Sequence, residues 1–135
     1  MRGYHEALAK AGLEADPALM VPAHFTVESA EAAVDSLLAR RIAFDAIVAA
    51  SDLIALGAIR SLLHAGRRVP DDISVVGYDD VPFARYSRPA LTTILQDTAR
   101  AGRLLVSKLL DAAAGGEMRS ERIPTELIVR ESCGG

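Results

Sequence analysis

A chain of 135 residues is enough for one ordinary domain that buries roughly two-thirds of its unfolded surface, and it is too short for two. Half of the residues are hydrophobic, which excludes a disordered chain; with 4% aromatics and no Trp, the core must come from Ala, Leu, Ile and Val. Lys and Arg number 15 against 18 Asp and Glu, a net charge of −3, so a direct grip on nucleic-acid phosphates is not expected of these residues.

In chain order, residues 6–10 read as a helix stopped by Gly12, followed by a turn over 13–17. Residues 18–21 are a short apolar run, read as a strand ended by Pro22. Thr26 opens a second helix as its N-cap, with Glu28 and Glu31 at the positive end of the dipole. Ala30, Ala33, Val34, Leu37 and Leu38 give that helix a half-buried stripe. Residues 46–50 are continuously apolar, which predicts a central parallel strand covered on both faces. Ser51 and Asp52 cap a third helix over 53–65, closed by Gly66. Residues 73–78 predict a second buried strand, 79–90 a long loop, and 91–95 another extended piece. A fourth helix over 99–114 carries Leu104, Leu105, Lys108, Leu109 and Ala112 along one side, and residues 126–130 form a last short strand. Strands separated by helices predict an α/β fold, a mostly parallel sheet flanked by helices.

Cys133 is the sole cysteine, which excludes an internal disulfide and suits a reducing compartment; near the end of the chain it reads as a mobile thiol. No apolar run reaches the roughly 18 residues that span a bilayer, and the first residues lack a signal peptide's apolar stretch, so a cytoplasmic protein without membrane contact is expected. His5, His24 and His64 are scattered without metal-ligand spacing, and no nucleotide-binding, metalloprotease or serine-hydrolase motif is present. No enzyme activity, metal or cofactor is therefore expected. The Arg40-Arg41 and Arg67-Arg68 doublets read as solvated charge at helix ends.

Ligands of open parallel sheets bind beyond the carboxyl ends of the strands. Three such ends run into Ser51-Asp52, Asp79-Asp80 and Gln96-Asp97, and Phe25 could add an aromatic face. Such a rim suits a small polar ligand, a sugar or a purine. Each residue also has a plain structural role: Ser51 or Asp52 as a helix cap, Asp79 or Asp80 in a turn, Phe25 in the core, Gln96 as a strand end.

Longer segments carry a resemblance. AASDLIALGA (49–58) resembles the "(N/S)D-x-x-A-x-G" strand–helix junction of the LacI/GalR family of bacterial transcription regulators. GRRVPDDISVVGYDD (66–80) is similar to that family's "G-x-x-V-P-x-D-(I/V)-S-(V/L)-(V/I)-G-(F/Y)-D". PALTTILQ (89–96) with Gly102 resembles "P-x-L-T-T-I-x-Q-x-x-x-x-x-G", and PTELIVRES (124–132) resembles "P-x-x-L-(I/V)-x-R-x-S". The four motifs stand in family order and cover essentially the whole chain.

The resemblance implies a periplasmic-binding-protein-like (type I) effector-binding core, of which this is the C-terminal part. Residues 1–96 and 123–135 would belong to the C-terminal subdomain, and 97–122 to the N-terminal subdomain. It implies a small-molecule effector, a sugar or a nucleoside or purine, held by Asp79, with Phe25 stacking, Ser51 as a polar contact, Asp52 chiefly as a structural cap, and Gln96 nearby. DNA would be reached only through a helix-turn-helix that would lie before Met1, and the protein would be a homodimer or other homo-oligomer. The alternative is a sugar-binding protein of a transport system. Two departures stand out. The family's effector-anchoring Arg would fall one position before Met1, and Ala30 occupies a place where the family commonly has Gly. The subdomain's first strand is also not among these residues. The expectation is therefore a sheet with unpaired neighbours and a fourth helix whose apolar side has no home within the chain.

Overall fold

The centre of the fold is a pair of helices laid over a pair of parallel strands. The computed structural model describes residues 2–117 and 119–135; Met1 and Met118, the latter within the 97–122 segment, lie outside the described residues. In chain order the elements are α1 (Arg2–Lys10), α2 (Val27–Ala39), β1 (Ala46–Val48), α3 (Asp52–His64), β2 (Ser74–Val76), β3 (Thr93–Gln96), α4 (Thr98–Ala113) and β4 (Thr125–Ile128). β1 pairs in parallel with β2, setting Ile47 opposite Val75, and β3 pairs antiparallel with β4. Parallel bridges Val76–Thr92 and Asp79–Leu95 join β2 to β3, giving the order β1-β2-β3-β4. The expected mostly parallel α/β arrangement is present.

Helices α2 and α3 form because both carry a capped start and a continuous inward stripe. Thr26 Oγ1 accepts from the Ser29 N–H at 3.2 Å, and Ser51 Oγ accepts from the Ile54 N–H at 3.3 Å. Ala30, Val34 and Leu37 of α2 are buried, as are Ala55, Ala58, Ile59 and Leu62 of α3. The helices approach at Gly57, where a Cβ would stand 2.5 Å from the Val27 carbonyl oxygen and 2.7 Å from the Ala30 methyl. The Ala30 methyl therefore lies in the tightest part of this contact, and the missing side chain at Gly57 accommodates it. Val34, Ala55, Ile59, Leu62, Ile73, Val75 and Leu91 make one core between these helices and the strands.

Several expectations are corrected. Residues 18–21 do not form a strand: Pro17–Leu19 is a single 3₁₀ turn, started by Asp16, whose Oδ1 accepts from the Ala18 N–H at 2.8 Å. An Asp cap with Pro in the first turn favours that local structure, and no strand beyond β1 exists among the described residues to pair with it. The run 46–50 is not a doubly covered central strand. β1 is an edge strand in which Ile47 packs on the core while Val48 is 69% exposed. Ile47 and Val75 belong to the core shared with α2 and α3, while Val48 on the opposite face of β1 is exposed. Helix α1 starts at Arg2, four residues earlier than expected, with an Arg2–Glu6 ion pair at 3.4 Å. Helix α4 also buries none of its residues: of the expected stripe, Leu105 and Leu109 are exposed, with Val106 and Leu110 beside them, while Leu104, Lys108 and Ala112 are half-buried. No helix among the described residues is long and apolar enough to cross a membrane.

The loop before β2 is closed by charge. Arg68 Nη2 sits 2.5 Å from Asp72 Oδ1, and the Arg68 N–H donates to Asp72 Oδ2 at 2.8 Å. These bonds hold the Asp72 carboxyl down, from an ordinary 3.8 to about 2. Because the folded value is the lower one, this contact stabilises the fold above pH 3.8 and is lost as pH falls through about 2. A carboxyl-resolved NMR titration should show Asp72 titrating near 2, and near its ordinary value in Arg68→Ala. An unchanged midpoint in the variant would remove Arg68 as the cause.

Candidate functional site

The three strand ends singled out in the sequence do converge. β1 leads into Ser51-Asp52, β2 leads through Gly77-Tyr78 into Asp79-Asp80, and β3 ends at Gln96. The chain is stitched across this rim by backbone bonds: the Asp52 N–H donates to Tyr78 O at 2.8 Å, and the Asp79 N–H to Ile94 O at 2.9 Å. Gln96 Nε2 donates to Asp79 Oδ1 at 2.5 Å, so a carboxyl and an amide 17 residues apart form one polar unit. Both side chains are half-buried, leaving part of each open.

Ser51 and Asp52 divide their work. Ser51 is the N-cap of α3 and is buried. Asp52, expected chiefly as a cap, is instead the first residue of the helix and is fully buried. Its Oδ1 accepts from Thr93 Oγ1 at 2.5 Å and its Oδ2 from the Val81 N–H at 2.8 Å. A Cβ on Gly77 would overlap the Asp52 carboxyl. Gly77 is thus required by the close approach of that group, not by a positive φ. Phe25 is neither core nor part of this network: it precedes the N-cap of α2 and is 67% exposed.

Asp79 and Asp80 are also turn residues, and of an uncommon kind. Their φ angles are 123° and 53°, a region that side-chain-bearing residues rarely adopt. The Asp80 N–H reaches Thr93 Oγ1 at 3.4 Å, and Asp80 Oδ1 pairs with Arg130 Nη2 at 2.7 Å. Thr93, Arg130 and Ser132 are supports that residue-by-residue reasoning missed. Ser132 Oγ accepts from the Thr92 N–H at 2.8 Å and donates to Val75 O at 2.6 Å, fully buried. The available signal was a Thr pair in an otherwise apolar strand and an Arg directly after an apolar one. Cys133 is not mobile: it is half-buried in a 3₁₀ turn, its Sγ 3.1 Å from Thr92 Oγ1. The rim is one open wall; a groove of about 680 Å³ lies elsewhere, along α4 from Thr98 to Leu110.

This wall can accept and donate hydrogen bonds through a carboxyl and an amide, and pairs no nucleophile with a base. A family model described as a periplasmic binding protein-like domain matches residues 1–133. The HTH-type transcriptional regulator CelR of Thermobifida fusca is 43% identical over 134 residues, 98% of this chain and 39% of that protein. The chain belongs to the LacI/GalR family, within its periplasmic-binding-protein-like domain. The HTH-type transcriptional repressor PurR of Photobacterium profundum is 34% identical over 134 residues, covering 98% of this chain and 40% of its own length. A solved complex of the regulator CelR with cellobiose superposes with a TM-score of 0.90 at 44% identity, over 97% of this chain and 41% of that one. The lac repressor dimer bound to operator and an anti-inducer superposes at 0.86 with 30% identity, over 98% and 40%. This LacI/GalR chain therefore spans about two-fifths of the length of these relatives, which are transcription regulators.

Proposed function

We propose that these residues form one wall of the effector cleft of a cytoplasmic DNA-binding repressor, and that the effector is a sugar of the cellobiose class. The observation that carries the reading is the Asp79–Gln96 unit at the carboxyl ends of the strands, in a chain similar to a cellobiose-bound regulator. A carboxyl oxygen accepts from sugar hydroxyls, the amide fixes its direction, and Phe25 offers a flat face to the apolar side of a pyranose ring. Ser51 is a polar neighbour of this wall, and Asp52 supports it from below. Residues 97–122 belong to the opposing subdomain; the exposed Leu105, Val106, Leu109 and Leu110 support that assignment. DNA is contacted by a part of the protein outside these 135 residues, in keeping with their net charge of −3. Exposed Phe83, Tyr86 and Leu63 support a homodimer, as in the lac repressor dimer.

Calorimetric titration of the full chain with cellobiose, ribose and hypoxanthine tests the reading. Cellobiose is expected to bind, and Asp79→Asn to weaken it about ten- to a hundredfold, the worth of one charge-assisted hydrogen bond. Preferential hypoxanthine binding would replace the sugar by a purine, and an unchanged Kd in Asp79→Asn would remove Asp79 from the site.

A further inference from the structure

Asp79 occupies a costly backbone conformation, and something must hold it there. Two consecutive residues with side chains, at φ 123° and 53°, form the turn that carries it. Asp tolerates the left-handed region near 53° through local hydrogen bonding, but 123° lies outside the well that any side-chain-bearing residue prefers. Three anchors come from the scaffold beneath: the Asp79 N–H on Ile94 O, the Asp80 N–H on Thr93 Oγ1, and the Val81 N–H on Asp52 Oδ2. The fourth is a charge pair. Asp80 Oδ1 meets Arg130 Nη2 at 2.7 Å, with the two side chains only 8% and 15% exposed, so solvent screens the pair weakly.

Arg130 is itself held from several sides. Its Nη1 donates to Leu91 O at 2.8 Å, its N–H donates to Thr92 Oγ1 at 2.8 Å, and Thr92 Oγ1 donates back to its carbonyl at 2.9 Å. The next turn is pinned by Ser132 to Val75 of β2. The guanidinium therefore stands at a fixed place relative to β2 and β3, the strands whose ends carry Asp79 and Gln96. It takes hold of Asp80, while the Asp79 side chain goes to Gln96.

We propose that Arg130, acting through its buried ion pair with Asp80, is a positioning residue that sets the direction of the Asp79 carboxyl. The C-terminal strand and turn thereby become part of the effector site without touching effector. The inference rests on the reading of Asp79 as the effector contact only for its consequence on binding; the positioning itself is a property of the ligand-free chain. Without Arg130 the buried Asp80 carboxyl loses its partner and moves toward water, and the turn rotates with it.

The test compares Arg130→Met, Arg130→Lys and Asp80→Asn in the full chain by two readouts. The first, without ligand, is the side-chain amide NMR resonance of Gln96, which reports its bond to Asp79. The second is the Kd for cellobiose. Arg130→Met and Asp80→Asn are expected to move the Gln96 resonance toward that of a free amide and to weaken cellobiose binding about tenfold. Arg130→Lys, which keeps the charge without the fork, should recover most of both. A merely structural Arg130 would lower the melting temperature and leave the Gln96 resonance in the folded variant where it was; that result overturns the proposal. Asp80→Asn, which keeps the shape and the left-handed tolerance of Asp80, decides the matter if Arg130→Met does not fold. If cellobiose fails to bind the unaltered chain, the sugar reading falls while the Gln96 resonance still decides the positioning.

Discussion

Asp52→Ala is expected to lower the unfolding free energy by about 3–5 kcal/mol, the largest loss of any single truncation at this rim. The side chain is fully buried, and both oxygens are in use, one by Thr93 Oγ1 and one by the Val81 N–H. Removing it leaves a buried hydroxyl and a backbone donor without acceptors, each costing about 1–3 kcal/mol, and opens a small cavity as well. Asp52→Asn should cost much less. Its oxygen can still accept from Val81, and its amide can donate to the Thr93 hydroxyl, which is able to reverse its role. Urea unfolding of the two variants, read at constant m-value, separates these outcomes. A loss below about 1 kcal/mol for Asp52→Ala would show that Thr93 and Val81 find other partners.

Gly77→Ala should cost about 3 kcal/mol for a related reason. The new methyl would overlap the Asp52 carboxyl and stand 3.0 Å from Leu91 Cδ2 and 3.3 Å from the Ala55 methyl. Leu91 and Ala55 are in the core and cannot retreat, so the carboxyl must move and lose its bonds. The preference of strands for Ala over Gly is too small to offset that loss. The pair is predicted to be non-additive: in Asp52→Ala/Gly77→Ala the methyl enters the space the carboxyl has left, and the combined loss falls below the sum of the two. Full additivity in a double-mutant cycle would mean that Gly77 is required for some reason other than Asp52.

Much of this fold was legible locally. Thr26 and Ser51 cap their helices, and the stripes from Ala30 to Leu38 and from Ala55 to Leu62 mark the faces that pack. The rim could also be foreseen, because strand ends followed by short polar residues must meet on one side of a parallel sheet. The run 18–21 misled because apolar residues alone do not distinguish a strand from a turn. Asp16 and Pro17 carried the deciding information, together with the lack of a strand partner. The run 46–50 misled because an apolar strand reads the same whether both of its faces are covered or one.

Local sequence alone was enough for the second, third and fourth helices, the caps at Thr26 and Ser51, the family resemblance and the polar residues of the rim. All of these follow from interactions within a turn or two of chain, or from motifs of contiguous residues. The tertiary structure alone decided that β1 is an edge, that Asp52 is enclosed rather than capping, that Asp79 bonds to Gln96, and that Arg130 reaches Asp80 across 50 residues. These depend on which neighbour fills a given space, and a buried polar group takes its partner from whatever the packed strands bring within hydrogen-bond reach.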